Sequence, residues 1–246
     1  LASLNALSGQ GAGASDTFTR TVRTDILGDA SAQGTGTGFI SWDASTGVLR
    51  PLRSATELAP RVELAGGATS TLNAGFADTQ TFMGNIALNT LTLFPGARLR
   101  GVAGVLDSTR LSVNAGGILA LGGSSEINVP QLVSSNSLSI HVQGEGYLDL
   151  NASFVSSVGL MKAGGGTLSL NAPQYFTGGL TVNQGTVRLA GGRNTLLAVR
   201  GNSVPTLYDL RLNGGWLDLN GNTAAVSGLS SINPLPNQGG SLISVQ

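Results

Sequence analysis

One short pattern constrains this chain more than any other: an apolar-x-apolar run, two or three turn residues rich in Gly or Asn, and a second apolar-x-apolar run. It occurs as LSVNAGGILAL at 111–121, LSIHVQGEGYLDL at 138–150, LTVNQGTVRL at 180–189 and LRLNGGWLDL at 210–219. A looser copy, LTLFPGARL, runs from 91 to 99. VELAGG at 62–67 begins another, and GTLSLNA at 166–172 is a second half alone. With that half-copy included, the copies recur about every 20–30 residues. A recurrence of this length, though irregular in spacing, is the mark of a repeat architecture.

The alternation has period two, so each run predicts a β-strand with one buried face. Helical signals are nearly absent. No stretch of twelve residues carries an apolar i, i+3, i+4, i+7 stripe free of Gly. Two runs joined by a short turn are compatible with a hairpin, and Asn213-Gly214-Gly215 is a legitimate hairpin signal. An antiparallel sandwich or barrel is therefore one alternative. The other is a parallel β-solenoid, in which the turn leads to the next side of one coil. One-coil spacing, inward residues that are almost all Leu, Val or Ile, and only 5% aromatic residues favour the solenoid. Coils of about 22–25 residues predict roughly ten turns and a rod about 50 Å long.

Asn114, Asn183 and Asn213 each follow the first strand of a copy; Asn151, Asn171 and Asn220 each follow a second strand. Asn and Gly tolerate the left-handed backbone of sharp corners. Stacked coils would also let like Asn residues bond to one another as a ladder. Plain turn formation is the alternative role.

Residues 161–191, MKAGGGTLSLNAPQYFTGGLTVNQGTVRLAG, resemble the autotransporter-associated β-strand repeat. Lys162, Gly164, Gly166, Thr167, Leu168, Leu170, Gly178, Val182, Gly185, Thr186 and Leu189 match its pattern. Phe176 stands where Tyr is frequent, Gln174 replaces the usual Asn, and Val187 replaces Leu. The match covers about 30 residues, with weaker echoes at 207–221 and 111–123. The resemblance implies a right-handed parallel β-helix outside a Gram-negative-type cell, serving as a passenger scaffold. It implies no catalytic residues.

Net charge is near zero, with 13 basic and 13 acidic residues, which leaves no basic footprint for nucleic acid. There is no Cys, so disulfides and thiolate metal sites are excluded. No apolar run approaches the roughly 18 residues that span a bilayer. The opening LASLNALSGQ has no Met and no charged n-region, as expected of a mature or excised piece.

The search for chemistry yields little. Asp149 and Asp218 sit outward on equivalent strands, but at least two coils separate them, too far for a glycosidase pair. Glu145 and Asp149 flank Tyr147 as solvated carboxylates. His141 is the single His, expected on the surface, and no cluster accompanies it to hold a metal. Lys162 is the single Lys and belongs to the repeat motif. GTGTGF at 34–39 lacks the helix that a phosphate loop needs.

Residues 1–30 read as an irregular segment, a cap or assembly element, and 31–246 as the solenoid, with a loop or insertion at 39–60. That insertion concentrates Trp42, Arg50, Arg53 and Glu57. The segment reads as a loop packed against the rod that caps one coil; the alternative is an interaction surface of Trp42, Arg50 and Arg53, with outward Trp216, since Trp and Arg anchor interfaces. No polar cap is evident at either end, and SLISV at 241–245 reads as a final strand. The expectation is a non-enzymatic extracellular rod without cofactor or metal: a surface passenger or adhesin, or a subunit that joins end to end into a fibre or sheath. The alternative is a polysaccharide-binding or polysaccharide-cleaving β-helix.

Overall fold

The computed structural model describes residues 14–29, 34, 36–61, 72–102, 109–193, 195–196, 207–231 and 241–243. The chain begins with β1 (Arg23–Gly28), β2 (Gly38–Asp43) and β3 (Val48–Pro51), an antiparallel sheet, followed by one helical turn, α1 (Ser54–Glu57). Beyond it every strand pairing among the described residues is parallel and the chain winds in rungs. The first partial rung holds β4 (Asn73–Phe76) and β5 (Thr79–Met83). Next come β6 (Asn85–Leu93) with β7 (Arg98–Val102), and β8 (Arg110–Ala120) with β9 (Ser124–Asn128). Then come β10 (Gln131–Val133), β11 (Leu138–Val142) and β12 (Tyr147–Leu150), and β13 (Ser153–Ser156), β14 (Leu160–Ala163) and β15 (Thr167–Leu170). They are followed by β16 (Tyr175–Phe176), β17 (Leu180–Val182) and β18 (Thr186–Leu189). Partial rungs β19 (Tyr208–Leu212) with β20 (Trp216–Asp218), and β21 (Val226–Ser230) with β22 (Ser241–Ile243), complete the described chain.

The solenoid has three sides. The first stacks the leading halves of β6 and β8 under β10, β13 and β16. The second runs from β4 through the trailing halves of β6 and β8 to β11, β14, β17, β19 and β21. The third runs from β5 through β7, β9, β12, β15, β18 and β20 to β22. The antiparallel alternative is thereby excluded. The rod has about six turns, not ten. The shortfall has a structural cause: residues 14–61 form a separate module, and the stack starts at Asn73 rather than at residue 31. The segment 39–60, expected as a loop or insertion in the rod, supplies β2, β3 and α1 of that module.

Alternation decides which residues enter the core. Leu99, Ile127, Leu150, Leu170 and Leu189 lie in register on the inner wall of the third side, each fully buried or nearly so. The rings of Phe154 and Phe176, on the first side, lie 5.5 Å apart, and the ring of Tyr208, at the start of β19, lies 4.7 Å from that of Phe176. The Tyr208 hydroxyl donates to the Gln174 carbonyl at 2.7 Å, which satisfies its one buried polar atom. Corners between the second and third sides demand glycine. Gly164 has φ +77°, and a Cβ there would lie 2.4 Å from the Val142 carbonyl oxygen, so both the torsion and the space exclude a side chain.

Candidate functional site

The N-terminal module gathers the densest charge. Glu57 is fully buried at the end of α1. Arg50 grips it bidentately, Nη1 donating to Oε2 and Nη2 to Oε1, both at 2.7 Å. Backbone amides of Arg53 and Asp16 donate to the same carboxylate at 2.9 and 3.0 Å. Arg20 stands 3.5 Å away and donates to the Trp42 carbonyl at 2.6 Å. Arg50 Nε also donates to Asp43 at 2.8 Å. Burial alone would push the Glu57 carboxyl up; the Arg50 bonds and the two amides outweigh that and hold it at about 2. Asp43 is likewise held far below the carboxylate range, by Ser45 and then Arg50.

The network locks a cover onto the rod. The amide of Ala59 donates to the Asn73 carbonyl at 2.8 Å, that of Gly75 to the Ala59 carbonyl at 2.9 Å, and that of Asn73 to the Phe18 carbonyl at 2.7 Å. The outer edge of β4 is therefore occupied by Phe18 and Ala59. The module also lies along the outer wall of the second side. Val22, Phe39, Leu52 and Leu58 pack with Ala115 and Leu119. His141 points outward, as alternation dictates, yet is only 4% exposed because β1 and β2 cover it. Its Nε2 lies 2.8 Å from the Thr24 carbonyl oxygen, and its ring meets Phe39 edge-on at 5.9 Å. The surface position expected for His141 is corrected accordingly; burial lowers its pKa.

The four expected interaction residues separate. Arg50 is internal, its side chain 14% exposed and taken up by Glu57 and Asp43. Arg53 is exposed but donates to Asp16 at 2.7 Å. Trp42 is half-buried beside Arg20, Ser41 and Ser45. Trp216 stands on the third side, 51% exposed, while Leu217 beside it is fully buried. Trp42 and Trp216 belong to different parts of the molecule: one lies in the N-terminal module, the other near the last rungs.

The corner asparagines form ladders in two places. Asn213 Nδ2 donates to Asn183 Oδ1 at 2.7 Å. Asn171 Nδ2 donates to Asn151 Oδ1 at 2.7 Å and to Asp149 at 2.8 Å. Asn114 accepts at its backbone carbonyl from Asn136, a partner that lies outside the expected set. Asn220 takes φ +49° and acts as a turn former, its amide donating to Asp218. A further buried pair was not read from the sequence: Asn89 donates to Asn73 at 2.8 Å at the corner of the first rungs.

Lys162 faces inward. It lies in register with Ile118, Ile140, Val182 and Leu212, and is 0% exposed. Its ammonium donates to the carbonyls of Gly164, Ala163 and Gln184 at 2.6, 2.8 and 3.1 Å. It thus ties a corner to the next rung, and desolvation lowers its pKa to about 7. The alternation of Leu160-Met161-Lys162 carried this signal, since Lys162 is two residues from an inward Leu.

Asp149 and Asp218 share an outer column with Ser169 and Arg188 between them, so they do not form a pair. Among the described residues no group of three or more His, Asp or Glu could hold a metal ion, and no helix is long and apolar enough to cross a membrane. Comparison of the chain with protein-family models, curated proteins and solved structures finds no match.

Proposed function

We propose that this chain is a non-enzymatic structural rod of the bacterial cell surface, a segment of passenger or adhesin type that displays its outer faces. The observation that carries the reading is the unbroken column of inward residues and rung-to-rung backbone bonds from β4 to β20. A chain so organised offers length and regular outer walls, and each rung needs only its neighbours for stability. The resemblance at 161–191 supports export and a right-handed coil, the hand expected of parallel crossovers. A displayed rod is favoured over an end-to-end polymer because Ala59 and Phe18 occupy the edge of β4, one of the strands to which a second copy would add.

The test has two arms. Protease shaving and surface labelling of intact producing cells should reach this chain; protection until lysis would overturn the surface reading. Negative-stain electron microscopy across a concentration series should show isolated short rods. Filaments with strands continuing across subunit junctions would replace display with assembly.

A further inference from the structure

The outer wall of the third side carries an aromatic column that none of the preceding roles uses. Parallel register places Ser124, Tyr147, Thr167, Thr186 and Trp216 one above another along the rod axis. Tyr147 is half-buried and Trp216 is 51% exposed. Three rung steps separate them, about 14 Å at the spacing of paired strands. The two residues between are Thr, whose short side chains leave the wall between the rings low. In sequence these aromatics belong to different copies of the repeat, in YLDL and WLDL, and only the stacking aligns them.

The adjacent column reads Thr79, Arg98, Glu126, Asp149, Ser169, Arg188 and Asp218. Its charges are already answered within the wall. Arg100, one position along, donates to Glu126 at 2.9 Å, and Arg98 lies 3.9 Å from the same carboxylate. Asp149 accepts from Asn171 at 2.8 Å, and Arg188 lies 3.5 Å from Asp218. Arg98, Arg100 and Arg188 balance Glu126, Asp149 and Asp218 in number, so the wall is neutral on balance, with Asp149 answered by an amide rather than an arginine. A charged polymer would gain no net attraction there and would have to compete with these pairs.

From this arrangement we infer that the third side is a binding platform for an uncharged, extended, β-linked polysaccharide lying along the rod axis. Sugar rings present a flat C–H face that stacks on exposed aromatic rings. Their hydroxyls bond to side chains such as Thr167, Thr186 and Asp149, which stay partly exposed, without displacing an ion pair. A straight wall with a repeat of about 4.8 Å suits a chain of ring-sized units better than a globular partner, which would need a contiguous apolar centre. This inference deepens the surface-rod reading and rests on it: it names the matter such a rod would hold.

The test is affinity electrophoresis of the purified chain in gels containing hydroxyethylcellulose, xylan, galactomannan or, as the charged comparison, polygalacturonate. At least one neutral polymer should retard the chain, and polygalacturonate should not. Trp216→Ala should weaken that retardation about tenfold, the scale of one lost aromatic stack in a binding site. Trp216→Phe should keep most of it, Tyr147→Ala should lose part, and Trp42→Phe should lose none. Unchanged thermal unfolding would show that the exposed substitutions leave the fold intact. Retardation by none of the neutral polymers, equal retardation by polygalacturonate, or wild-type binding by Trp216→Ala would each overturn the inference. Surface-exposed rods that fail to bind would sink only the platform, whereas a chain protected inside the cell would sink the rod reading as well.

Discussion

Replacing Lys162 by Met tests the most unusual residue of the core. The side chain is 0% exposed among Ile140, Val182 and their neighbours, and desolvation lowers its pKa from 10.5 to about 7. In the unfolded chain the amine keeps its ordinary value. Between about pH 7 and 10.5 unfolding therefore takes up a proton, and stability rises with pH in that window. The slope approaches about 1.4 kcal/mol per pH unit for one proton, with a ceiling of about 5 kcal/mol across the window. Below pH 7 both states are protonated and the full desolvation cost remains. Lys162→Met conserves volume and removes the charge, but it leaves the carbonyls of Ala163, Gly164 and Gln184 without their donor. Those losses, about 1–3 kcal/mol for each carbonyl left buried, do not depend on pH. The difference between wild type and variant is thus the decisive quantity, because titrating groups other than His141, which feels the Lys162 charge and is neutral above pH 7, cancel in it. Urea unfolding of both proteins at pH 7, 8 and 9 should show the wild type gaining on the variant by about 1 kcal/mol or more per unit. Parallel stability curves would refute the argument and mean that the carbonyl cage holds the ammonium as well as water does.

Three further outcomes follow from the core and the cover. Phe176→Ala empties the space between the Phe154 and Tyr208 rings and should cost about 4 kcal/mol in denaturant unfolding; less than about 1 would mean that the aromatic stack collapses freely. Glu57→Gln removes one partner of a buried charge network and should destabilise the N-terminal module by about 3 kcal/mol at pH 7, read as proteolysis within 14–61. The same carboxyl, held at about 2 against an unfolded 4.5, contributes its full stability above pH 4.5 and loses it as pH falls toward 2, so the variant should lack that acid transition. His141 has its pKa lowered by burial, against the pull of the Thr24 carbonyl and Asp25 and with the push of Lys162, so its contribution is complete above pH 6.5 and declines below it. Protection of the β1 and β2 amides, corrected for intrinsic exchange, should fall as pH drops below 6.5, and His141→Gln should flatten that dependence.

Much of the architecture was legible because the signal is local. Alternation in YLDL, TLSL and WLDL fixes which residues point inward, and Leu148, Leu168 and Leu217 are fully buried as that pattern requires. Gly and Asn between the runs mark the corners, and two of the expected Asn stacks bond directly, Asn151 with Asn171 and Asn183 with Asn213. Alternation cannot tell an outward residue in water from one beneath another part of the chain. His141 and Arg50 were misjudged for that reason. The covering contact for His141 comes from Thr24, 117 residues earlier, and the carboxylate for Arg50 comes from a helical turn that the repeat pattern does not contain.

The sequence by itself settled that this chain is built of short strands with one aliphatic face, since period-two alternation broken by Gly and Asn is the pattern of half-buried strands; that the strands stack in parallel rather than as a sandwich was decided by the tertiary structure. Only the tertiary structure decided how many rungs there are, what closes the first one and which side chains meet across rungs. Pairing between residues 20–30 positions apart leaves no local trace. Each rung is similar enough to its neighbours that register is chosen by the sum of core packing, corner ladders and close glycine contacts. That choice puts Lys162 in an aliphatic column and brings Tyr147 and Trp216 into line on one outer wall.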